Sequence, residues 1–385
     1  MGRGMSPTVS QYAAEDVIDL AVAAPAPDPA VIEGAAAAAL AALPGELAGR
    51  GGAASRGYYP TGVPLLRAAI AARYTTRGVV TSAEQILVTA GAMGALHLLA
   101  CSVFARGGLV LVEQPTYPTA LDALRAAPAR LVPFPVSSEG WDLDQLATVF
   151  RQIRPQFAYL IVDFHNPTGA LLDLPGRAAL LAAADQSGTL LVIDETNLEL
   201  ALDGGDVPPP LAALDEHDRV VSVGSMSKAF WGGLRVGWIR ASPSLVAELA
   251  IARHSIDLAG PVLEQLVAAD LLAHAEEHLP ARRRELAVRR DVLSAALRVS
   301  QPRWHWRQPA GGLCLWVTLD GAISTALMTT AKHHGLRLTN GPRFGLDASL
   351  ERFLRLPYVL NPAELREGVR RLAAAHADVS RRQRA

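Results

Sequence analysis

The sequence predicts an α/β protein. We expect a large domain, built on a mostly parallel sheet with helices on both faces, and a smaller α+β domain. From residue 85 onward, short apolar runs alternate with helix-like segments, and past residue 245 helical stretches dominate. The runs are continuously apolar, which is typical of strands that are covered on both faces. The chain has 385 residues, and single cores stop growing near ~250–300 residues, so two domains are expected.

The first 48 residues are predicted to form an arm and a helix that join the small domain. A short apolar run at 17–22 is followed by Pro25, Pro27 and Pro29, which prevent a helix there. Residues 35–47 are rich in alanine and predict a helix. The glycine-rich stretch 49–57 predicts a flexible connection, most of which lies outside the residues that the structure describes, and we place the first domain boundary there.

Residues 49–250 are predicted to form the large domain. Strand-like runs alternate with helix-like segments, so a binding site is expected at the carboxyl ends of the strands. The predicted strands are 86–89, 109–112, 131–135, 158–162, 190–193 and 220–223. The predicted helices between them are 92–104, 117–126, 143–153 and 176–186.

Residues 251–385 are predicted to form the small α+β domain. Helical stretches continue to about residue 298. Strand-like runs then follow at 313–319 and 353–356, separated by a helix at 325–334, and a final helix covers 362–374.

The composition excludes several classes of function. Lysine and arginine number 36 against 37 acidic residues, so no basic surface is expected for nucleic acid. The two cysteines, Cys101 and Cys314, lie far apart and predict neither a metal site nor a disulfide, which fits a reducing cytoplasm. The apolar run at 35–43 is shorter than the ~20 residues that a membrane span needs. We therefore expect a cytoplasmic protein without metal, nucleic acid or membrane partner.

The stretch 222–240 places an isolated lysine between two apolar, strand-like runs. Lys228 lies among small and aromatic residues rather than among charges. Lysine forms Schiff bases with carbonyl compounds, and burial lowers its pKa toward the useful range. Ser225 and Ser227 precede it and Arg235 follows it, a set that could hold a dianionic phosphate. The pattern suggests pyridoxal phosphate, and a lysine that reaches the surface from a turn is the ordinary alternative.

Two further features lie where predicted strands end. Gly91, Ala92 and Met93 join a strand to a helix, and such small residues let backbone N–H groups face an anion. Tyr117 follows the next strand and could stack on a flat cofactor. Taken singly, these features are also explained by a tight turn and by a packed tyrosine.

Two polar residues complete the set. Asn166 lies in a turn by composition and could donate to a phenolic oxygen. Asp194 closes an apolar strand, where an acid is costly unless it is paired. A protonated pyridine nitrogen is such a partner, and pairing keeps the ring an electron sink.

Together with Lys228, these features resemble the fold-type I pyridoxal-phosphate enzymes, the aspartate aminotransferase superfamily with its class I/II members. The order is informative: glycine–alanine turn, tyrosine, Asn-Pro-Thr-Gly, aspartate, Ser-x-Ser-Lys and arginine. The resemblance covers about residues 18–374. Stretches 57–67, 309–313 and 355–358 are similar to the aminotransferase-like domains of MocR-type regulators and to kynurenine/α-aminoadipate-type aminotransferases. Those regulators carry a winged-helix domain ahead of the enzyme-like part, with which this sequence begins, so no DNA-binding role is expected.

The resemblance implies a role for each matching residue. Lys228 would attach the cofactor and move a proton, and Asp194 would pair with the pyridinium. Asn166 would bond the ring oxygen beside the substrate, and Tyr117 would stack on the ring. Arg355 would clamp the substrate carboxylate with two hydrogen bonds. The residues that would line the phosphate are Gly91, Ala92, Met93, Ser225, Ser227 and Arg235.

The resemblance also implies an assembly and its small-molecule partners. Tyr58, or its neighbour Tyr59, would reach the phosphate bound in a partner subunit, which implies a homodimer with shared active sites. The expected substrates are an amino acid and a keto acid.

One position departs from the family pattern. Many members have a tyrosine three residues after the aspartate, which shares the ring oxygen with the asparagine; here Asn197 stands there, an amide that cannot ionise. The leading prediction is an aminotransferase that acts on an α-amino acid. The alternatives are a pyridoxal-phosphate lyase, cyclase or oxidative decarboxylase of a specialised pathway, and a cofactor-binding sensor domain without turnover.

Overall fold

A computed structural model of the chain describes residues 16–48, 55–103, 107–205 and 207–384. The strands, in chain order, are β1 (Ile18–Asp19), β2 (Ile86–Thr89), β3 (Leu109–Gln114), β4 (Arg130–Ser137), β5 (Gly140–Trp141), β6 (Phe157–Leu160), β7 (Leu190–Asp194), β8 (Val220–Ser225), β9 (Gly237–Arg240), β10 (Cys314–Thr318), β11 (Leu336–Arg337), β12 (Thr339–Asn340) and β13 (Phe353–Pro357). The helices are α1 (Pro29–Ala48), α2 (Pro64–Thr76), α3 (Gly91–Val103), α4 (Pro118–Ala126), α5 (Leu143–Ile153), α6 (Leu174–Ser187), α7 (Pro243–Ala252), α8 (Val262–Ala273), α9 (Ala275–Ser300), α10 (Ser324–Ala331) and α11 (Pro362–Arg384).

The central sheet has eight strands in the order β2-β9-β8-β7-β6-β3-β4-β5. The five strands from β8 to β4 are parallel, whereas β2, β9 and β5 pair antiparallel. All six predicted strands of the large domain occur with bounds within two residues of the structure. The prediction missed β5, because a two-residue edge strand leaves no periodic signal.

Both faces of this sheet are covered. Successive side chains of a strand point to opposite faces, and in β2 the side chain of Leu87 belongs to one hydrophobic cluster while Ile86 and Val88 belong to another. Helices α3, α4 and α7 contribute to the cluster on the Leu87 face, and α2, α5, α6 and α8 contribute to the opposite one. This arrangement explains the continuously apolar strands and confirms the predicted α/β class.

A separate hydrophobic cluster forms around the antiparallel sheet β10-β13-β12. Helices α9, α10 and α11 pack on it, and β1 pairs with β11 beside it. Leu20, which follows β1, is fully buried in this cluster. The N-terminal arm therefore contacts the small-domain core.

The clusters divide the chain differently from the boundaries predicted at residues 48 and 250. Helix α8 lies beyond residue 250, yet it packs into the large-domain core. Helix α1 contributes Ala35 and Ala39 to that same core rather than to the smaller one. The changeover between cores falls inside α9, where Leu279 belongs to the first cluster and Leu286 to the second. Helical periodicity identifies an apolar face but not the surface it packs on, so the sequence pattern does not show which core each of these helices joins.

Helix α1 is longer than the predicted alanine-rich segment. It spans 20 residues, and within the described ranges it is the one helix that could cross a membrane by length and composition. That criterion is weak, because core helices satisfy it too. Ala35 and Ala39 pack against the large-domain core, whereas Leu40 and Leu47 are exposed.

Candidate active site

The Lys228 amine lies in a cavity of about 220 Å³ that is lined by residues of both cores. Strand β8 ends at Ser225, and a π-helical turn at Ser227–Trp231 follows, so the lysine comes directly off the strand end. The lining residues are Ala23, Ala24, Ala92, Met93, Tyr117, Ile161, Asn166, Asp194, Thr196, Asn197, Ser225, Ser227, Lys228, Gly232, Arg235, Leu313 and Cys314. Ten of these were predicted from the sequence. The seven that were not are Ala23, Ala24, Ile161, Thr196, Gly232, Leu313 and Cys314.

The environment of Lys228 raises the neutral fraction of its amine above that of an ordinary lysine. Burial, and after it the nearby Arg355 cation, lower its pKa to about 8, while Asp194 acts in the opposite direction. Its Nζ donates to the carbonyl of Ala23 over 2.8 Å. A neutral amine is the form that attacks a carbonyl carbon, so the site prepares this lysine for covalent chemistry.

One end of the cavity suits an anion. The Ser227 N–H donates to Ser225 Oγ over 3.1 Å, and the two hydroxyl oxygens are 2.9 Å apart. Arg235 lies beside them and donates from Nη2 to the carbonyl of Ala90 over 3.1 Å. Helix α3 begins at Gly91, so the first N–H groups of this helix have no partner within it. A cation, two hydroxyls and a helix N-terminus together fit a phosphate dianion.

Two glycines make the close packing at this end possible. A Cβ on Gly237 of β9 would lie 2.4 Å from the backbone carbon of Gly91. Gly91 has a φ of +74°, and a Cβ there would lie 2.9 Å from Nη2 of Arg235. Gly91 therefore packs against Arg235 without lining the cavity itself, and its contribution to the phosphate end stays a prediction.

Asp194 is buried at the end of β7 with two donors. The hydroxyl of Tyr159 donates to Oδ2 over 2.6 Å, and the N–H of Thr196 donates to Oδ1 over 3.0 Å. Burial raises the pKa of Tyr159 well above its ordinary value, and the Asp194 charge adds to this effect. Tyr159 was missed by the sequence analysis. The available signal was a tyrosine inside the apolar run 158–162, since a buried hydroxyl needs a partner.

Arg355, on β13, does not line the cavity itself but lies beside it on the small-domain side, in contact with the lining residue Asn166. Its Nη1 donates to Asn166 Oδ1 over 3.4 Å, and its Nη2 donates to the carbonyl of Ala21. Its guanidinium carbon lies 4.9 Å from the centre of the Phe344 ring. Burial lowers the pKa of Arg355, and its Nε has no hydrogen-bond partner within the described residues. The side chain is thus buried with donor capacity left for an anion.

A buried polar cluster supports the turn that carries Asn166. Glu113 accepts from the Trp141 indole over 2.7 Å and from the N–H of Ile161 over 2.8 Å. Its Oε2 lies 3.3 Å from Nε2 of His165. The other ring nitrogen of His165 accepts from the N–H of Thr168 over 3.3 Å. These buried polar contacts therefore stabilise the turn that carries Asn166, and the sequence analysis did not identify them.

The remaining predicted residues differ in their position. Asn197 lines the cavity, and its Nδ2 donates to the carbonyl of Phe164 over 2.9 Å. Tyr58 does not line the cavity and is 69% exposed. The hydroxyl of Tyr59 instead donates to Glu46 of α1 over 3.0 Å.

In the part of the chain that the structure describes, no group of three or more His, Cys, Asp or Glu side chains could hold a metal ion.

The fold and this cavity agree with a known family. A family model described as aminotransferase class I and II matches residues 15–372. The chain belongs to this family. It is a fold-type I aminotransferase that depends on pyridoxal phosphate, as the sequence resemblance predicted.

Individual relatives match this aminotransferase over most of its length. It is 31% identical over 370 residues to aromatic-amino-acid aminotransferase 1 of Thermococcus litoralis, covering 93% of this chain and 87% of that protein. The solved α-aminoadipate aminotransferase of Thermus thermophilus, complexed with N-(5'-phosphopyridoxyl)-L-leucine, matches with a TM-score of 0.84 and 32% identity, covering 94% of this chain and 93% of that one. An uncharacterized HTH-type transcriptional regulator of Bacillus subtilis is 29% identical over 320 residues, covering 82% of this chain and 64% of the regulator.

The lowered pKa of Lys228 predicts how cofactor attachment depends on pH. Only the neutral amine adds to an aldehyde, so the rate of attachment should rise with pH around a midpoint near 8. Replacing Arg355→Met removes a neighbouring cation and should move this midpoint upward, toward the ordinary lysine value of 10.5. Stopped-flow absorbance over a pH series measures the midpoint, and Lys228→Ala shows which lysine reacts. An unchanged midpoint in Arg355→Met would contradict the proximity of the two charges.

The hydrogen bond from Tyr159 predicts a second result. Tyr159→Phe removes one donor from Asp194 and should weaken cofactor binding roughly ten- to hundredfold, the scale of one hydrogen bond to a charged group. Tyr74→Phe is a matched control, because the Tyr74 hydroxyl donates to Glu195 over 2.6 Å and Glu195 does not line the cavity. This control should lose stability but keep its cofactor affinity. Equal weakening in both variants, measured by spectroscopic titration, would refute the role of Tyr159.

Proposed function

We propose that this aminotransferase moves the amino group of an α-amino acid to a keto acid, with pyridoxal phosphate attached to Lys228. The observation that carries the proposal is a buried amine of lowered pKa that shares one cavity with Asp194 and lies near Arg355. The cavity suits this cofactor chemically. Its anion-binding end lies beside Lys228, and Asp194 offers a carboxylate to a cationic ring nitrogen.

The residues that would hold the cofactor follow from this arrangement. Arg235, Ser225 and Ser227, together with the start of α3, would bind the phosphate. Asp194, held by Tyr159, would pair with the ring nitrogen. Asn166 would donate to the ring oxygen, and Tyr117 would stack on the ring. When bound, pyridoxal phosphate supplies an electron sink for charge at the substrate α-carbon.

The remaining steps belong to the side chains beside the cavity. Arg355 would bind the α-carboxylate of the substrate with its planar guanidinium. The carboxylate would then replace the carbonyl of Ala21, which now accepts from Arg355. Lys228 Nζ, once released from the cofactor, would move the proton from the α-carbon. Its lowered pKa suits this role, because a base near neutral pKa can both accept and return a proton.

We also propose that the active unit is a homodimer whose sites share Tyr58. Three apolar or aromatic residues near the start of the chain are strongly exposed, namely Leu40, Leu47 and Tyr58. The segment that carries Tyr58 contacts the C-terminal end of α1, because Tyr59 donates to Glu46 and the N–H of Ser55 donates to the carbonyl of Leu47. Large exposed apolar surfaces mark contact sites, and a second copy of the chain would cover this one.

The cysteines Cys101 and Cys314 are free, and we propose that the enzyme works in the reducing cytoplasm.

The proposed reaction predicts a spectral half-reaction. Adding a suitable amino acid should convert the absorbance of the bound cofactor to that of pyridoxamine phosphate, with one equivalent of keto acid released. Asp194→Ala should slow this conversion about 10³-fold or more, because the charge that keeps the ring nitrogen protonated is lost. Ammonia or pyruvate release without the pyridoxamine form would point instead to elimination. A normal rate in Asp194→Ala would show that this acid does not act on the cofactor.

The shared site predicts recovery of activity on mixing two inactive variants. Lys228→Ala lacks the reactive amine, and Tyr58→Ala lacks the aromatic hydroxyl that would reach the partner. A mixed dimer contains one site with both native residues, so activity should return after the two are combined. Light scattering should show a dimer throughout. A dimer that gives no recovery would contradict the role of Tyr58, and an active monomer would contradict the assembly.

A further inference from the structure

We propose that this active site selects α-amino acids with an uncharged, apolar side chain, and that Cys314 contacts that side chain. The inference rests on the proposed function, since it assigns the space that the cofactor and the α-carboxylate leave free. It follows from an inventory of the charges around the cavity and from the chemistry of the remaining wall.

Every cation at the cavity already has a task. Lys228 attaches the cofactor, and Arg235 lies at the phosphate end beside Ser225 and Ser227. Arg355, next to Asn166, is the cation that remains for the α-carboxylate. Among the described residues that line the cavity there is no further lysine, arginine or histidine. A second carboxylate on the substrate would therefore meet no opposite charge.

The cavity wall that the cofactor does not use is apolar. Once the ten predicted cofactor contacts are set aside, seven lining residues remain, and none of them is charged. Thr196 belongs to the Asp194 end through its N–H, and Gly232 lies near Arg235, whose Nη1 is 3.5 Å from its carbonyl. Ile161 follows β6, whose Tyr159 contacts Asp194. The four that remain are Ala23, Ala24, Leu313 and Cys314.

Contacts place two of these four residues, Ala23 and Cys314, at the substrate end of the cavity, and Ala24 and Leu313 are their neighbours in the chain. The carbonyl of Ala23 is 2.8 Å from Lys228 Nζ. Cys314 interacts electrostatically with both Lys228 and Arg355, so it lies near the two groups that would hold the substrate. Its thiol donates to the carbonyl of Pro167 over 3.6 Å, and burial raises its pKa to about 11. The thiol therefore stays neutral and presents a small apolar surface.

This wall discriminates by charge rather than by fine differences of shape. A carboxylate that is buried without a partner carries a large desolvation cost. An aliphatic side chain of the same size gains from leaving water. Leucine and aspartate make the sharpest comparison, because their side chains share one branched shape and differ in charge.

The test is the half-reaction of the cofactor-loaded enzyme with single amino acids, followed by absorbance. Leucine, methionine and norleucine should convert the cofactor with a catalytic efficiency at least about 100-fold above that of aspartate, glutamate and 2-aminoadipate, since the acidic side chains find no opposite charge. Comparable or better efficiency with the acidic amino acids would overturn the inference and would require a cation from outside this cavity, such as one from a partner subunit. Failure of every amino acid would instead count against the proposed function itself.

A substitution at Cys314 tests the position of the side chain. Cys314→Arg adds the missing cation and should narrow the preference for leucine over aspartate at least tenfold. Cys314→Ser, of similar size, should keep the wild-type preference and serves as the control. If both variants keep the wild-type ratio while binding cofactor normally, Cys314 does not contact the substrate. If Cys314→Arg fails to fold, Cys314→Phe should reduce the efficiency for leucine more than that for alanine, and an unchanged ratio would refute the contact.

Discussion

The structure depends on keeping one amine buried between an opposite and a like charge. Lys228 is lowered in pKa by burial and by Arg355, and Asp194 partly restores its protonated form. The parallel pairing of β7 with β8 sets the first relation, because it aligns Asp194 with Val223 shortly before the lysine. The small-domain sheet sets the second, because it carries Arg355 to the side of the cavity, against Asn166. Neither core alone would produce this balance of charges.

The sequence predicted the residues that follow apolar strands, because each strand end is visible as the point where a buried run meets a polar residue. Lys228, Asp194 and Asn166 were found in this way, and the residues of the cavity wall include ten that were expected. The sequence could not predict contacts that depend on how two strands are aligned or on how the two cores pack together. Tyr159 lies opposite Val192 of β7, and only this register brings its hydroxyl to Asp194. The contribution of Cys314 from the small domain was equally invisible in the sequence.

The departure at Asn197 has a physical explanation in the backbone around it. Its amide donates to the carbonyl of Phe164, a residue in the left-handed region with a φ of 49°. Bulky residues are uncommon in that conformation, so they need support from their surroundings. The ring of Phe164 also packs where a Cβ on Gly311 would fall, 2.4 Å away. The side chain at position 197 therefore secures the strand end beneath the Asn166 turn as well as lining the cavity.

The N-terminal arm and helix α9 both connect the two cores, the first as an extended segment and the second as a long helix. The first is the arm, whose carbonyls at Ala21 and Ala23 accept from Arg355 and Lys228. The second is α9, which has 26 residues and is therefore about 39 Å long. It contains Pro280 just after Leu279, where the packing changes from one core to the other. A proline removes one backbone hydrogen bond, so bending concentrates there. Because the arm and Arg355 both belong to the small core, a rotation of that core about this point would move both of them relative to Lys228 of the large core, which links the mechanics of the molecule to the geometry of its site.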